Sequence, residues 1–360
     1  MRFHGLNTFG YLWVLLVLGG CSSSSTTRQV AEVVDPSWHQ EEKHLRNIVQ
    51  ITFGGENAEA YFSFDEKRLC FQSKRDGADA DRIYTMNLDG SDVQPVSNGK
   101  GVTTCSYYYP DGKRVLYAST HTISEEAPPK PDFRKYGGYV WPIHAGYEIF
   151  VHNTETGDEV RLTQNEQYDA EATLSPTGDR MVFTSTRDGD LELYSMKLDG
   201  TDVKRLTNNP GYDGGGFYSA NGEMIVFRAN HPTSDEELAE YKRLLREGVV
   251  KPSVMEIYVM DALGSVIDQV TDLGVASFAP FFHPSGEWII FSSNKHDPRG
   301  RNFDLYRIRI DGTDLERLTF SPDFDGFPMF NAAGTKLVFA SNRDGKEQGE
   351  TNVFIADWVE

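Results

Sequence analysis

The sequence is poor in cysteine, in positive charge and in long apolar runs. Lys and Arg number 35 against 54 Asp and Glu, so the net charge is −19. A surface this acidic repels phosphate backbones, and we exclude nucleic acid as a partner. After the first twenty residues, no apolar stretch is long enough for a membrane helix. Beyond Cys21 only Cys70 and Cys105 remain, in different repeats. We expect two buried thiols, although an oxidising compartment would permit a disulfide.

The N-terminus has the pattern of a secretory signal. Arg2 gives a positive start, and Tyr11 to Leu18 is an apolar run too short to span a bilayer. Leu18-Gly19-Gly20-Cys21 resembles the lipobox of bacterial lipoproteins, and the alternative is an ordinary cleaved signal with a chance cysteine. We predict a signal peptide over 1–20, lipidation at Cys21 and a tether over 21–44. Ser22 resembles the pattern sorted to the outer membrane, which predicts anchoring on its periplasmic side.

Two kinds of turn recur along the rest of the chain. An Asp-Gly pair between alternating strands predicts a tight hairpin, because glycine accepts the positive φ that such turns require. The first kind is found at Leu88–Asp92, Leu198–Asp202 and Ile310–Asp314. The second is found at Tyr109–Gly112, Ser175–Gly178 and His283–Gly286, each before a short apolar strand. Each repeat therefore contains four short strands joined by tight turns.

The repeats have a period that predicts their architecture. A Ser or Thr closes successive repeats at Thr52, Ser97, Thr163, Thr207, Thr271 and Thr319, with gaps of 45, 66, 44, 64 and 48 residues. Four strands in about 45 residues are the signature of a propeller blade. The last repeat ends after its third strand, Val353–Ala356, and a matching fourth strand stands at Ile48–Thr52. We predict an all-β, six-bladed propeller over 45–360, its ring closed by an N-terminal strand.

The turns resemble the TolB-like propeller repeat, in which Ser-Pro-Asp-Gly and Ser-x-Arg-Asp-Gly motifs alternate. Pro110-Asp111-Gly112 and the pairs Arg75-Asp76 and Arg187-Asp188 carry the resemblance, which covers about residues 45 to 358. It implies the fold but not an activity, since related propellers serve as scaffolds, peptidase gates and a pectate-fragment lyase. The chain departs from TolB in lacking a separate α/β domain ahead of the propeller. It also has no Gly-x-Ser-x-Gly elbow of the peptidases.

Four enlarged loops follow the second strands of their blades, and we expect them to build up one face around the channel. They are His121–Gly146, His231–Val254, Lys295–Asn302 and Arg343–Thr351. The second loop contains a predicted helix that begins with overlapping capping boxes, Thr233 with Glu236 and Ser234 with Glu237. We expect its stripe of Leu238, Tyr241, Leu244 and Leu245 to pack onto the rim rather than bind a partner.

The same rim position holds a basic or imidazole residue in every blade: Arg75, His121, Arg187, His231, Lys295 with His296, and Arg343. Asp169, Asp213 and Asp325 occupy one equivalent position before the inner strands. We predict that His121, His231 and His296 line one pocket at the channel mouth with these three aspartates, and we count Arg299 among the binding residues. Imidazoles with carboxylates favour a transition metal, so the three histidines are candidate ligands of a divalent ion. Alternatively, Arg–Asp pairs lock the turns and the aspartates cap backbone amides.

Other candidates lie near these positions. Glu59 and Glu171 stand two residues beyond the aspartate position in their blades and could bind a metal or sugar hydroxyls. Tyr136, Tyr139 and Trp141 could stack on sugar rings or simply pack their loop.

Two functions fit the pattern. The first is an envelope scaffold, without catalysis, that binds a protein or a glycan on the long-loop face. The alternative is a metal-dependent carbohydrate-active enzyme, similar to an oligosaccharide lyase, working in a His and Asp funnel.

Overall fold

The protein is an all-β, six-bladed propeller, as predicted, with one helix among the described residues. The computed structural model describes residues 32–33, 41–165 and 167–360. The predicted signal peptide, Cys21 and most of the predicted tether lie outside these ranges. Each blade is an antiparallel sheet whose first strand lies at the channel and whose last strand lies at the outer edge of the ring.

The strands follow one another within each blade from the channel outwards. Blade 1 contains Glu56–Phe62, Arg68–Lys74, Arg82–Asn87 and Gln94–Pro95. Blade 2 contains Thr103–Tyr108, Arg114–Ser119, Glu148–Asn153 and Glu159–Arg161. Blade 3 contains Asp169–Leu174, Arg180–Ser185, Glu192–Lys197 and Lys204–Arg205. Blade 4 contains Tyr212–Tyr218, Met224–Asn230, Glu256–Asp261 and Ile267–Gln269. Blade 5 contains Ser277–Phe282, Trp288–Ser293, Asp304–Arg309 and Glu316–Arg317.

Blade 6 is closed by the N-terminal part of the chain. Its first three strands are Asp325–Phe330, Lys336–Ser341 and Asn352–Trp358, and its fourth is Leu45–Gln50, which pairs antiparallel with the third. The predicted closure is therefore confirmed, with the strand beginning three residues earlier than Ile48. A short strand, Glu32–Val33, pairs with the outside of Leu45–Gln50. Strand pairing thus begins inside the segment predicted as a tether.

Each blade is held together by an aromatic pair between its second and third strands. In blade 1 the Phe71 and Tyr84 rings have centroids 5.8 Å apart, and in blade 6 the Phe339 and Phe354 rings are 5.7 Å apart. The second-strand member is almost fully buried in every blade. The same aromatic position therefore stabilises each of the six sheets from within, and its members belong to several hydrophobic clusters.

The inner strand of every blade contains a bulge at its third or fourth residue. The register shifts there, and the bulged residue has a positive φ of 49° to 62°. The six residues are Glu59, Cys105, Glu171, Gly215, Ala279 and Phe327. In a regular strand, side chains alternate between the two sheet faces, which here pack on neighbouring blades. The bulge breaks that alternation and turns one residue per blade towards the channel.

The long loops of blades 2 and 4 meet above blade 3. Trp141–Pro142 pairs antiparallel with Val249–Val250. Helix α1, Asp235–Arg246, has Ser234 as its N-cap, packs onto the blades through Tyr241, and buries Leu244 against the long loop of blade 2. The expected helix and its packing are confirmed. No helix in the described part of the chain has the length and apolar character needed to cross a membrane.

Candidate functional site

The three histidines predicted to share a pocket lie apart, each held by its own blade. His121 Nε2 is 3.2 Å from Glu159 on the outer strand of blade 2, and its ring packs on Phe150. His296 Nδ1 is 2.8 Å from Asp304, at the start of the third strand of blade 5. His231 Nε2 is 2.8 Å from Asp213 within blade 4. Only this last His–Asp pair of the prediction is brought together.

The other two predicted aspartates pair with arginines of their own blades. Arg187 Nη2 is 2.9 Å from Asp169, and Arg343 Nη2 is 2.8 Å from Asp325. Each guanidinium also lies over the aromatic pair of its blade. These two arginines therefore stabilise their own blades. The Arg–Asp pairs predicted as an alternative therefore exist, but Arg187 and Arg343 pair with the inner-strand aspartate, whereas Arg75 lies 3.8 Å from its turn aspartate, Asp76. Arg299 is 75% exposed and lies 3.6 Å from Asp297.

The prediction of one common pocket is therefore wrong, and none of its seven residues lines the central cavity. Within residues 41–165 and 167–360, no three His, Cys, Asp or Glu side chains are grouped to hold a metal ion. Strand register gives the positions of these residues along the chain but not the direction of their side chains. Arg187 and Arg343 turn back onto the buried aromatic pair of their blades, where their charge meets a buried carboxylate.

His231, the histidine that pairs with a predicted aspartate, has a shifted pKa. Burial lowers the pKa of His231, but the hydrogen bond and charge of Asp213 outweigh it, so the pKa lies above its ordinary value. His296 moves in the opposite direction, because burial and Arg317 lower its pKa. These shifts belong to separate structural pairs and not to one ligand site.

The channel itself contains a cavity of about 950 Å³ that opens among the long loops. All six bulge residues line it. Blades 1 to 3 contribute Glu59, Cys105 and Glu171, whereas blades 5 and 6 contribute Ala279 and Phe327. The cavity is thus polar on one side and apolar on the other, at a volume typical of ligand sites.

Blade 4 places an arginine where the other blades place a bulge side chain. A Cβ on Gly215 would lie 1.8 Å from Nη1 of Arg228, so only glycine leaves room for this guanidinium. Arg228 forms an ion pair with Glu171 and donates to the Tyr212 hydroxyl at 2.6 Å. Gly214 makes further space, since a Cβ there would lie 2.6 Å from the same hydroxyl. The glycines therefore admit a charged side chain to the centre of the molecule.

Arg228 is held in place, but one of its hydrogen-bond donors has no partner among the described residues. Its guanidinium lies 4.9 Å from the Trp141 ring and 5.4 Å from the Tyr212 ring. Burial opposes its charge, but Glu171 and Tyr212 outweigh that effect and raise its pKa above the ordinary value. Its Nε is buried with no hydrogen-bond partner among the described residues. A buried donor without a partner is uncommon in native proteins, and here it lies beside an open cavity.

Glu59 is the second ionisable group of the cavity wall. Burial raises the pKa of its carboxyl to about 7; Glu171 adds to that rise, and the Cys105 thiol opposes it. A carboxyl with this pKa is about half protonated at neutral pH and can donate or accept a hydrogen bond. Glu59 and Glu171, which were candidate ligands from the sequence, therefore do face the site.

The aromatic candidates divide between packing and the cavity. Tyr136 is buried in a small cluster with Val140, Leu244 and Val249, so it packs its loop. Tyr139 is 63% exposed at the mouth, and both Tyr139 and Trp141 line the cavity. Sequence reasoning missed Arg228, although a charged residue inside the apolar strand Met224–Asn230, opposite three consecutive glycines, was a visible signal.

The two cysteines outside the signal region are free thiols. Cys70 is buried, which raises its pKa to about 12. Cys105 is half-buried and faces the cavity. The expectation of two thiols is met, but only one of them is fully buried.

Comparison with known proteins supports the class that this geometry defines. A family model described as the TolB beta propeller domain matches residues 142–248. A putative TolB from Agrobacterium tumefaciens superposes with a TM-score of 0.54 at 19% identity, over 85% of this chain and 91% of that one. The chain therefore has the fold of TolB-like propellers, and the resemblance of its repeats is confirmed.

Other similar proteins have a different or undetermined role. An oligogalacturonate lyase from Vibrio parahaemolyticus superposes with a TM-score of 0.52 at 13% identity, over 86% of this chain and 80% of that one. An uncharacterized protein of Agrobacterium fabrum is 34% identical over 92 residues, which are 26% of this chain and 30% of that protein. The chain spans less than a third of the length of the curated relatives it matches.

Proposed function

We propose that this chain is a lipid-anchored envelope protein whose propeller binds a protein or glycan ligand in the central cavity. The observation that carries the proposal is the replacement of the blade 4 bulge side chain by Arg228. A buried ion pair adds little to stability compared with apolar packing. A ligand explains the three consecutive glycines more readily than folding does. It also explains why the Nε donor of Arg228 is buried without a partner among the described residues.

The position of the cavity supports binding from the long-loop face. Tyr139 and Trp141 lead from the exposed rim to Arg228, and the paired loops of blades 2 and 4 form the wall above. Rigid aromatic side chains beside a few oriented polar groups are typical of binding sites. The envelope location rests on the signal peptide and lipobox predicted over residues 1–21.

The alternative of a metal-dependent enzyme loses its predicted site, since the three histidines are separated. The likeness to the oligogalacturonate lyase is one of fold and supplies no residue for catalysis. Binding is therefore the better supported function.

Peptide and glycan arrays probed with the labelled mature protein would test the proposal. The double variant Tyr139→Ala with Trp141→Ala should lose at least 90% of the array signal. Leu263→Ala with Val203→Ala is the matched control, because both residues are exposed apolar side chains in turns on the opposite face. Retention of the signal by the cavity variant, or equal loss in both variants, would contradict binding in the cavity.

A further inference from the structure

Acidic and basic side chains line the cavity in equal numbers, five of each. Several of them are paired within the protein. Glu56 Oε1 lies 3.3 Å from Lys74 Nζ, and Glu171 forms an ion pair with Arg228. Burial lowers the pKa of His144, which also lines the cavity, so this histidine adds little charge at neutral pH. The wall therefore has no net charge when its acidic and basic groups are all ionised, and it offers no counter-charge to a strongly charged ligand.

Polar groups without partners lie on one side of the cavity, in blade 1 and in the long loop of blade 2. The Nε2 amide of Gln72, the carboxylate of Asp81 and the ammonium group of Lys130 form no hydrogen bond or ion pair with other described residues. Burial and the charge of Glu56 raise the pKa of Asp81, and Lys130 is close enough to oppose them. Free donors and a free acceptor thus lie side by side. A hydroxyl group both donates and accepts hydrogen bonds, so this side of the wall suits hydroxyls.

Aromatic rings form the opposite side of the cavity, in blades 5 and 6. Phe278, Phe303, Phe324 and Phe327 contact one another with ring centroids 5.0 to 6.1 Å apart. The last three are half-buried and line the cavity, so parts of their rings remain open to it. Unlike the two rings that flank Arg228, they have no Lys or Arg of the described residues over their faces. These rings are therefore available to a ligand.

We propose, building on the proposed function, that the cavity binds a neutral oligosaccharide. A sugar ring has hydroxyl groups along its edge and C–H groups on its face. The edge lies toward Gln72 and Asp81, and the C–H face packs on the phenylalanines of blades 5 and 6. An aliphatic chain would leave the polar groups of blade 1 without partners, and a uronic acid would bring a carboxylate to a wall that has no net positive charge. The cavity of about 950 Å³ has room for more than one sugar ring.

Titration calorimetry with tetrasaccharides of different charge tests the inference. Cellotetraose, mannotetraose and the N-acetylated chitin tetramer are neutral, tetragalacturonate is acidic, and the deacetylated chitin tetramer is cationic. We expect at least one neutral tetrasaccharide to bind about tenfold more tightly than both charged ones. Its affinity should be the same at low and high ionic strength, because no ion pair forms between ligand and protein.

Variants assign the binding to the two sides of the cavity. Asp81→Ala and Phe327→Ala should each weaken the neutral tetrasaccharide about tenfold. Asp268→Ala and Phe320→Ala are the controls, because Asp268 is exposed on the outer strand of blade 4, Phe320 is half-buried, and neither lines the cavity. Thermal unfolding of each variant shows whether a loss of binding reflects a loss of folding. The Asp81 carboxylate has no partner among the described residues, so Asp81→Ala keeps the test valid if Phe327→Ala unfolds.

The outcomes separate this inference from the proposed function. Equal or tighter binding of a charged tetrasaccharide would overturn the neutral ligand. Binding that neither Asp81→Ala nor Phe327→Ala weakens would overturn its place in the cavity. If no neutral tetrasaccharide binds while array peptides bind through Tyr139 and Trp141, this inference fails and the proposed function stands. Titrations and arrays that both show no binding would remove the proposed function itself.

Discussion

Gly215 and Arg228 are complementary in size, and each explains the other. A methyl group at residue 215 would overlap the guanidinium, and its φ of +62° is a conformation that disfavours side chains. We predict that Gly215→Ala lowers the free energy of unfolding by about 2–4 kcal/mol, combining left-handed strain with overpacking. Chemical denaturation measures the loss.

Gly77→Ala is the control for that prediction. Gly77 has a φ of +79°, but a methyl group added there would have no other atom within 4 Å, so this variant isolates the backbone strain. It should cost about 1–2 kcal/mol. Equal losses in the two variants would mean that Arg228 does not occupy the space beside Gly215.

Glu59 should make the stability of the free protein depend on pH. Burial raises its pKa from 4.5 to about 7, so the native state holds the proton more tightly than the unfolded chain. This contribution is fully present below pH 4.5 and is lost as pH rises through 7. Glu59→Gln removes the loss and should be more stable than the wild type at pH 8 by about 2 kcal/mol, a value reduced for partial exposure. Denaturation at pH 5 and pH 8 tests this; a stability difference that does not change with pH would contradict it.

At the scale of the element, the strand that closes blade 6, Leu45–Gln50, depends on a buried ion cluster. Arg343 lies between Asp325 of the inner strand and Glu42, just ahead of the closing strand, and all three side chains are buried. Burying charge is unfavourable unless every partner is present. The segment before Leu45 is therefore part of the closure and not only a tether.

Arg343→Met should leave the buried carboxylates of Glu42 and Asp325 without their shared cation, while the methionine keeps the contact with Phe339 and Phe354. We expect the free energy of unfolding to fall by about 3–5 kcal/mol. Arg134→Met is the control, since Arg134 is 95% exposed beside Asp132, and should change stability by less than about 0.5 kcal/mol. Calorimetric melting compares the two, and similar midpoints would show that the cluster does not hold blade 6 closed.

At the scale of the whole molecule, the propeller face that carries the cavity also carries the long loops. The predicted lipid at Cys21 would hold the propeller near a membrane through the N-terminal segment that precedes the closing strand, Leu45–Gln50. We predict that Cys21→Ala moves the protein from the detergent phase to the aqueous phase in phase partitioning. A wild-type protein that already partitions into the aqueous phase would contradict the lipid anchor.

The fold was predictable because its signals are local. Turns such as Asp89-Gly90, the period of about 45 residues and the capping boxes at Thr233 and Ser234 each depend on residues close in sequence. The closing strand could be predicted as well, because an incomplete last repeat needs a partner for its exposed edge. These features determined the number of blades, the position of the long loops and the helix.

The direction of side chains was decided only by the tertiary structure. His121, His231 and His296 have equivalent or adjacent positions in the sequence, yet each turns to a carboxylate of its own blade. Glu59 and Glu171 face the channel because a bulge rotates the strand there, and Arg228 reaches it because blade 4 has glycine at the bulge. Strand periodicity predicts which residues share a sheet face, but a bulge and the space left by a distant glycine depend on packing between strands. The sequence therefore determined the ring, and packing within and between blades determined which side chains line its centre.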